Sequence, residues 1–209
     1  MFSTAKKIAT CLGLIGGFTF AHSLYAEDRP SDWPCEQALV REIPAAVVWA
    51  GPSIAGLARS WEQEEEVEVL VERFLSPAYD LDAADAEIAG FSAKQDPSEK
   101  DHQLTLLFAG VIQRLNEERK KKLDGIIRYA RGQAVRANRL SEELDEMVQL
   151  QEDPSQAAQQ RLALMQKEME IKQRMFDERE AFIQHLCTRP RVIEEKLGSL
   201  ARTIAYYLD

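Results

Sequence analysis

The chain has 209 residues, 45% of them hydrophobic and 29% charged, with 26 Lys+Arg against 35 Asp+Glu and a formal net charge of −9. An acidic balance of this size argues against a general nucleic-acid binder, which carries a basic footprint, and fits a chain kept in solution by its charge. The length allows one domain with a sizeable core.

The first 26 residues read as a secretory signal peptide. Lys6 and Lys7 form a positive start, residues 8–20 are apolar but softened by Gly13, Gly16 and Gly17, and Leu24-Tyr25-Ala26 offers a small residue for cleavage. The apolar run is shorter than the roughly 18–20 residues of a spanning helix, so cleavage is expected over an uncleaved anchor. Cys11 precedes most of that run, whereas a lipid-modified cysteine would follow it. Lys6 and Lys7 are the only Lys or Arg in the leader, and it has no acidic residue. The mature chain therefore keeps 24 basic and all 35 acidic residues, a formal charge of −11, and has no further apolar run long enough to span a membrane. It also keeps only Cys35 and Cys187. Two cysteines in an oxidising compartment usually pair. This bridge would close a loop of roughly 150 residues, which the chain-entropy model values at about 5 kcal/mol. Separate thiols and an intermolecular bridge are the alternatives.

Helix punctuation organises the remainder. Ser31 and Asp32 precede Trp33-Pro34-Cys35, and proline in a first turn predicts a short helix over 34–42. Residues 44–49 make a second apolar piece that Gly51-Pro52 terminates. Leu57, Trp61, Val67, Leu70, Val71 and Phe74 mark further helix before Pro77, and Asp80 or Asp82 caps a short helix reaching about Ala93. These pieces hold Trp33, Trp49 and Trp61 and read as a compact cap over 27–96. From Asp96-Pro97 no proline occurs until Pro154, which predicts a helix over 98–151, roughly 80 Å long. A turn follows at 151–155 with Asp153 as the expected cap, and then a second helix over 155–208. Equal arms about one turn predict a hairpin over 97–209. The fold class is thus all-α, a long antiparallel helical hairpin, coiled-coil-like, with a cap of short N-terminal helices.

The second arm carries a seam. Ala158, Met165, Lys172, Arg179, Leu186, Ile193, Leu200 and Tyr207 recur every seven residues, and Leu162, Met169, Phe176, Ile183, Pro190, Leu197 and Ile204 follow them by four. Register survives Cys187-Thr188-Arg189-Pro190, where a kink or short break is expected. The first arm presents Leu104, Phe108, Val111, Leu115, Leu123, Ile126, Ala130, Ala137, Leu140, Leu144 and Met147, interrupted by the polar run 116–122. Lys172 and Arg179 on the seam predict a wet middle, in which long basic stems cover apolar surface while their charges reach water.

Chemistry is sparse. A hairpin turning near Asp153 puts His102 near Thr203, His185 near Lys120 and Cys187 near Glu118. The two histidines are then roughly 25 Å apart and share no metal or proton relay. The acidic run Glu62, Glu64, Glu65, Glu66, Glu68 suits a helix start and a solvated face. No glycine-rich phosphate loop, zinc spacing or local Ser-His-acid signature occurs, so no catalytic residue, cofactor or metal is expected. Charge is polarised instead. Between residues 114 and 139, nine basic residues meet only Glu117, Glu118 and Asp124, a net of +6, while residues 141–160 carry −6. Arg114, Lys121 and Arg128 share one face at seven-residue spacing. With Arg131 and Arg139 they are the candidate partner-binding residues.

Asp32-Trp33-Pro34-Cys35 and Val48-Trp49-Ala50-Gly51-Pro52 resemble the N-terminal segment of a group of small exported proteins of Gram-negative bacteria. Cys187, Pro190, Glu194, Glu195, Leu197, Leu200 and Ala201-Arg202 resemble the end of the same group. The resemblance covers the two ends of the chain and implies a periplasmic address and the disulfide; it implies no activity. Long arms without an obvious concave pocket lead to the expectation of a non-enzymatic periplasmic scaffold or adaptor acting on protein partners, a homodimer being among the assemblies the arms permit. A holdase-like chaperone using Met147, Met165, Met169 and Met175, and an enzyme with its site in the cap, are the competing expectations.

Overall fold

The computed structural model describes residues 32–209; the expected signal peptide at 1–26, with its cleavage site and Cys11, lies outside them. The described residues are 76% helical and include no strand. Helix α1 is Ala45–Val48, α2 is Glu65–Leu75 and α3 is Ala84–Ser92. The two arms are α4, Lys100–Glu152, and α5, Gln156–Tyr206. They run antiparallel: Lys100 pairs with Asp209, Arg119 with Glu194 and Lys172 with Glu143, while the Tyr129 hydroxyl donates to the Arg179 carbonyl.

Local chemistry sets the arm ends. The Asp96 carboxylate accepts from the Ser98 amide at 2.8 Å and its hydroxyl at 2.6 Å. These bonds hold the carboxyl below its usual range, because they favour the charged form. At the turn, the expected cap moves. Pro154 drives Asp153 into extended backbone, and Asp153 accepts from the Ser155 amide at 2.8 Å. Ser155 is the N-cap of α5, its hydroxyl accepting from the Ala158 amide at 3.2 Å. Cys187 is buried in one cluster with Leu123 and Ile126 rather than opposite Glu118.

The proximal half of the hairpin shares one core with the cap. Trp61, Val67, Val71, Phe74 and Ile88 are buried with Leu104, Leu107, Phe108 and Val111 of α4 and Leu197, Leu200 and Ile204 of α5. The amphipathic spacing of Val67, Leu70, Val71 and Phe74 gives α2 its buried face. Trp49 stacks flat on Phe108, with ring centroids 4.0 Å apart. Cap and arm pack tightly at Gly110, where a Cβ would stand 2.6 Å from Val71 Cγ2 and 2.8 Å from Trp61 Cδ2. Gly110→Ala is expected to destabilise by about 1–3 kcal/mol, because a buried ring and a β-branched side chain must both move. Thermal unfolding checks this, and an unchanged or raised melting temperature contradicts it.

A second cluster lies farther along the rod. Trp33, Cys35, Leu123, Ile126, Ile127, Ile183 and Cys187 are buried together, and Cys35 and Cys187 form the disulfide, with Cα atoms 5.7 Å apart. The segment 34–42, expected to be helical, is not. It is a strap laid along the arms, and its polar groups are satisfied by the arms rather than by a helix of its own. Gln37 Nε2 donates to the Cys187 carbonyl at 2.8 Å, Arg119 donates to the Val40 carbonyl, and Asn116 exchanges two 3.0 Å bonds with Ile43. The polar run 116–122, which interrupts the apolar face of α4, supplies these strap contacts. Of the kink or short break expected near Pro190, the break is absent, since α5 continues through it. Pro190 removes the amide that would pair with the Leu186 carbonyl, and it sits buried beside the covalently and hydrogen-bonded Cys187 turn.

Toward the tip the hairpin thins to two helices. Ala158, Leu162, Met165 and Met169 are buried as the seam requires, whereas Lys172, Phe176 and Arg179 are half-buried. Ala137 and Leu144, assigned to the apolar face of α4, are exposed. Each stands one position beyond a residue that turns inward, Arg136 and Glu143, and one position is about 100° of helix. The middle is polar: buried Gln133 donates to the Phe176 carbonyl at 3.3 Å and to Glu180 at 3.2 Å, and accepts from Arg136.

Candidate interaction surface

The α4–α5 ribbon has two broad faces, and the strap covers one of them. Asp32, Trp33 and Pro34 line a hollow there with Ala130, Ala134 and Ala137 of α4 and Glu180 of α5. On the other face, Arg139 of α4 and Met175 of α5 border a hollow of about 260 Å³ with Lys172, Phe176 and Arg179. Helical spacing extends this open face in both directions. Arg114, Lys121, Arg128, Val135, Arg139, Glu142 and Glu146 follow one another by three, four or seven residues on α4. On α5, Leu164, Ile171, Met175 and Phe182 do the same. These four apolar side chains are 60%, 54%, 45% and 42% exposed, so the second arm carries a second apolar stripe beside the one it packs against α4. The stripe was legible as a 7-4-7 spacing but was masked by the stronger seam.

The five candidate basic residues separate into distinct roles. Arg114 pairs with Glu72 of α2 at 3.0 Å and with Glu117 at 3.7 Å. Arg131 pairs with Asp32 of the strap at 2.8 Å. Lys121, Arg128 and Arg139 are exposed, and none has an ion pair among the described residues. The structure thus brings Lys121, Arg128 and Arg139 to the open face, and ties Arg114 and Arg131 to the cap and strap. Arg119 was passed over in the sequence as one of a charged run; it is buried, and its guanidinium holds Glu194 at 2.7 Å and the Val40 carbonyl. It latches strap to arms. Of the four methionines on the arms, Met165 and Met169 are buried and Met147 is half-buried, leaving Met175 exposed.

The open face is bounded at both ends. Near the cap, Ser76 and Pro77 after α2 line a hollow of about 350 Å³ with Arg114, Glu118 and Lys121, and Lys196 donates to the Ser76 carbonyl at 3.4 Å. Burial holds the Lys196 ammonium below its usual pKa, with Glu118 opposing the shift. At the far end lies the acidic turn. On the strap side, residues 41–45 and Ile54 border a groove of about 600 Å³ over Ile112, Gln113 and Asn116.

Chemically, the titratable groups do not converge. Tyr79 is pushed up to about 12 by burial and by Glu87, Tyr207 is raised by its bond to Asp85, and Lys172 is raised by its bond to Glu143. Among these, only Lys172 borders one of the hollows described. His102 lies in the first turn of α4 and His185 beside the disulfide level of α5, both exposed. No group of three or more His, Cys, Asp or Glu placed to hold a metal occurs among the described residues, and Glu62, Glu64, Glu65, Glu66 and Glu68 are all exposed. No helix of the described residues is long and apolar enough to cross a membrane. Comparison with protein-family models, with curated proteins and with solved structures finds no match to this chain.

Proposed function

We propose that this protein is an exported, periplasmic scaffold or adaptor that works through protein–protein contacts and not through catalysis. The carrying observation is the distal hairpin: two arms, disulfide-anchored at mid-length, that expose an apolar stripe and unpaired basic side chains on one face. Such a surface suits helix-to-helix docking. Its hollows are shallow borders between elements, unlike the enclosed, mostly apolar cavities that hold small molecules. The signal-peptide pattern, the disulfide and the resemblance of the Trp33 and Trp49 segments support the address.

The test is a photo-crosslinker placed at Leu164 or Arg128 in the chain expressed in a Gram-negative host. The expected result is protein recovered from the periplasm with its mass starting near Glu27 and crosslinked to a discrete set of proteins. Material retaining Met1 in the membrane fraction overturns the address, and crosslinking indistinguishable from a probe at exposed Glu65 overturns the adaptor reading. The exposed stripe also favours a second reading, a holdase for unfolded clients, for which suppression of aggregation of a denatured model protein is the discriminating readout.

A further inference from the structure

We propose that the open face of the hairpin seats a second copy of this chain in antiparallel orientation, about a two-fold axis that passes between Ile171 and Met175. This concerns the same open face as the adaptor reading and names its occupant, so crosslinks from Leu164 or Arg128 to a second copy support it and crosslinks to other proteins alone support the adaptor reading instead.

Three observations converge on this occupant. The first is spacing. Leu164 stands seven residues before Ile171, and Phe182 stands seven after Met175. An isologous contact sets each residue of one copy against its mirror position in the other. The stripe therefore sets Ile171 on the partner's Met175 and Leu164 on the partner's Phe182, apolar on apolar throughout.

The second is charge. With that axis, the acidic end of each α4 lies alongside the basic segment of the other. Arg128 falls between the partner's Glu142 and the partner's Glu146, and Lys121 falls near the partner's Glu152. Lys121 and Arg128, exposed and without an ion pair among the described residues, thus meet the partner's carboxylates twice over. Within one copy Arg161 and Lys172 of α5 pair with Glu146 and Glu143, whereas Glu142 and Glu152 have no ion pair among the described residues and take the partner's cations.

The third is extent. From the step at Lys121 to the turn at Asp153 the open face runs about 48 Å. The middle of that run falls at the level of Ile171 and Met175, so each turn would reach the partner's step at Ser76 and Pro77. Two helices wide, the face covers roughly 900 Å² per copy and 1,800 Å² in total, within the standard size of specific interfaces. Gly125 lies on this face between Lys121 and Arg128, where a Cβ would meet nothing nearer than Arg128 Nη2 at 3.9 Å, and leaves room for a close approach.

Sedimentation equilibrium on the oxidised mature protein tests the proposal. The wild type is expected to be a dimer at concentrations up to about 100 μM, and weaker as salt rises. Ile171→Glu with Met175→Glu should raise the dissociation constant by about 100-fold or more while the helical signal is kept. The decisive measurement uses two charge-reversed chains, Lys121→Glu with Arg128→Glu and Glu142→Lys with Glu146→Lys. Each alone sets like charges together at both ends and should be monomeric, whereas their equimolar mixture restores both contacts and should form a heterodimer. A wild type that stays monomeric over the whole range overturns the proposal. So does failure of the mixture to pair, or a dimer that the Ile171 and Met175 changes leave intact.

Discussion

Cys187→Ser is expected to lower the melting temperature by about 5–15 °C while leaving most of the far-ultraviolet helical signal. The bridge joins residues 152 apart in sequence, and removing a disulfide that closes a long loop costs typically 2–4 kcal/mol. A domain of this size loses about 2–4 °C per kcal/mol. The loss is local in structure. The bridge, the Gln37 bond to the Cys187 carbonyl and the burial of Trp33 hold the strap, whereas the arms keep their own backbone bonds and most of their seam. Trp33 fluorescence should therefore shift toward that of exposed indole before the helices melt. Equal melting temperatures for oxidised wild type and variant would contradict this, as would two freely alkylated thiols in denatured, unreduced protein.

Phe108→Ala should be comparably damaging, by about 3–5 kcal/mol, the usual cost of emptying a buried aromatic site. Phe108 is fully buried where α4 meets the cap and α5, and it carries the stacked Trp49 ring. Neighbouring Leu107 and Val111 are held by the long helices and are poorly placed to collapse into the space. Thermal unfolding of this variant beside Val148→Ala, an exposed position on the thin end of the rod, separates the two cases. The surface change is expected within about 0.5 kcal/mol of wild type. A Phe108→Ala chain as stable as the control would place the stabilising core elsewhere than between cap and hairpin.

Much of this architecture was legible in the amino-acid order, for identifiable reasons. A proline-free run from Pro97 to Pro154, made of good helix formers, has few alternatives to one long helix. The seven-residue recurrence from Ala158 to Tyr207 picks out the stripe that packs on it. Beyond the expected leader, Cys35 and Cys187 have only each other as an intramolecular partner. What failed was of another kind. The strap at 34–42 has helix-compatible residues, but the tertiary structure offers its backbone better-anchored partners in Asn116, Arg119 and Cys187. Pro190 reads locally as a break, yet it sits within a helix pinned on both sides by packing and a covalent bond.

Local order by itself therefore determined the two long helices, their antiparallel arrangement, the disulfide partners and the polarity of charge along the rod. These depend on spacing along one chain, which periodicity reports directly. Only the tertiary structure decided which face stays open. Arg114, Lys121, Arg128, Arg131 and Arg139 look alike in sequence, but Glu72 and Asp32, distant in the chain, tie up the first and fourth. The stripe of Leu164, Ile171, Met175 and Phe182 reads in sequence as more core, and is a surface because α4 is only one helix wide and a single neighbour covers a single side of α5.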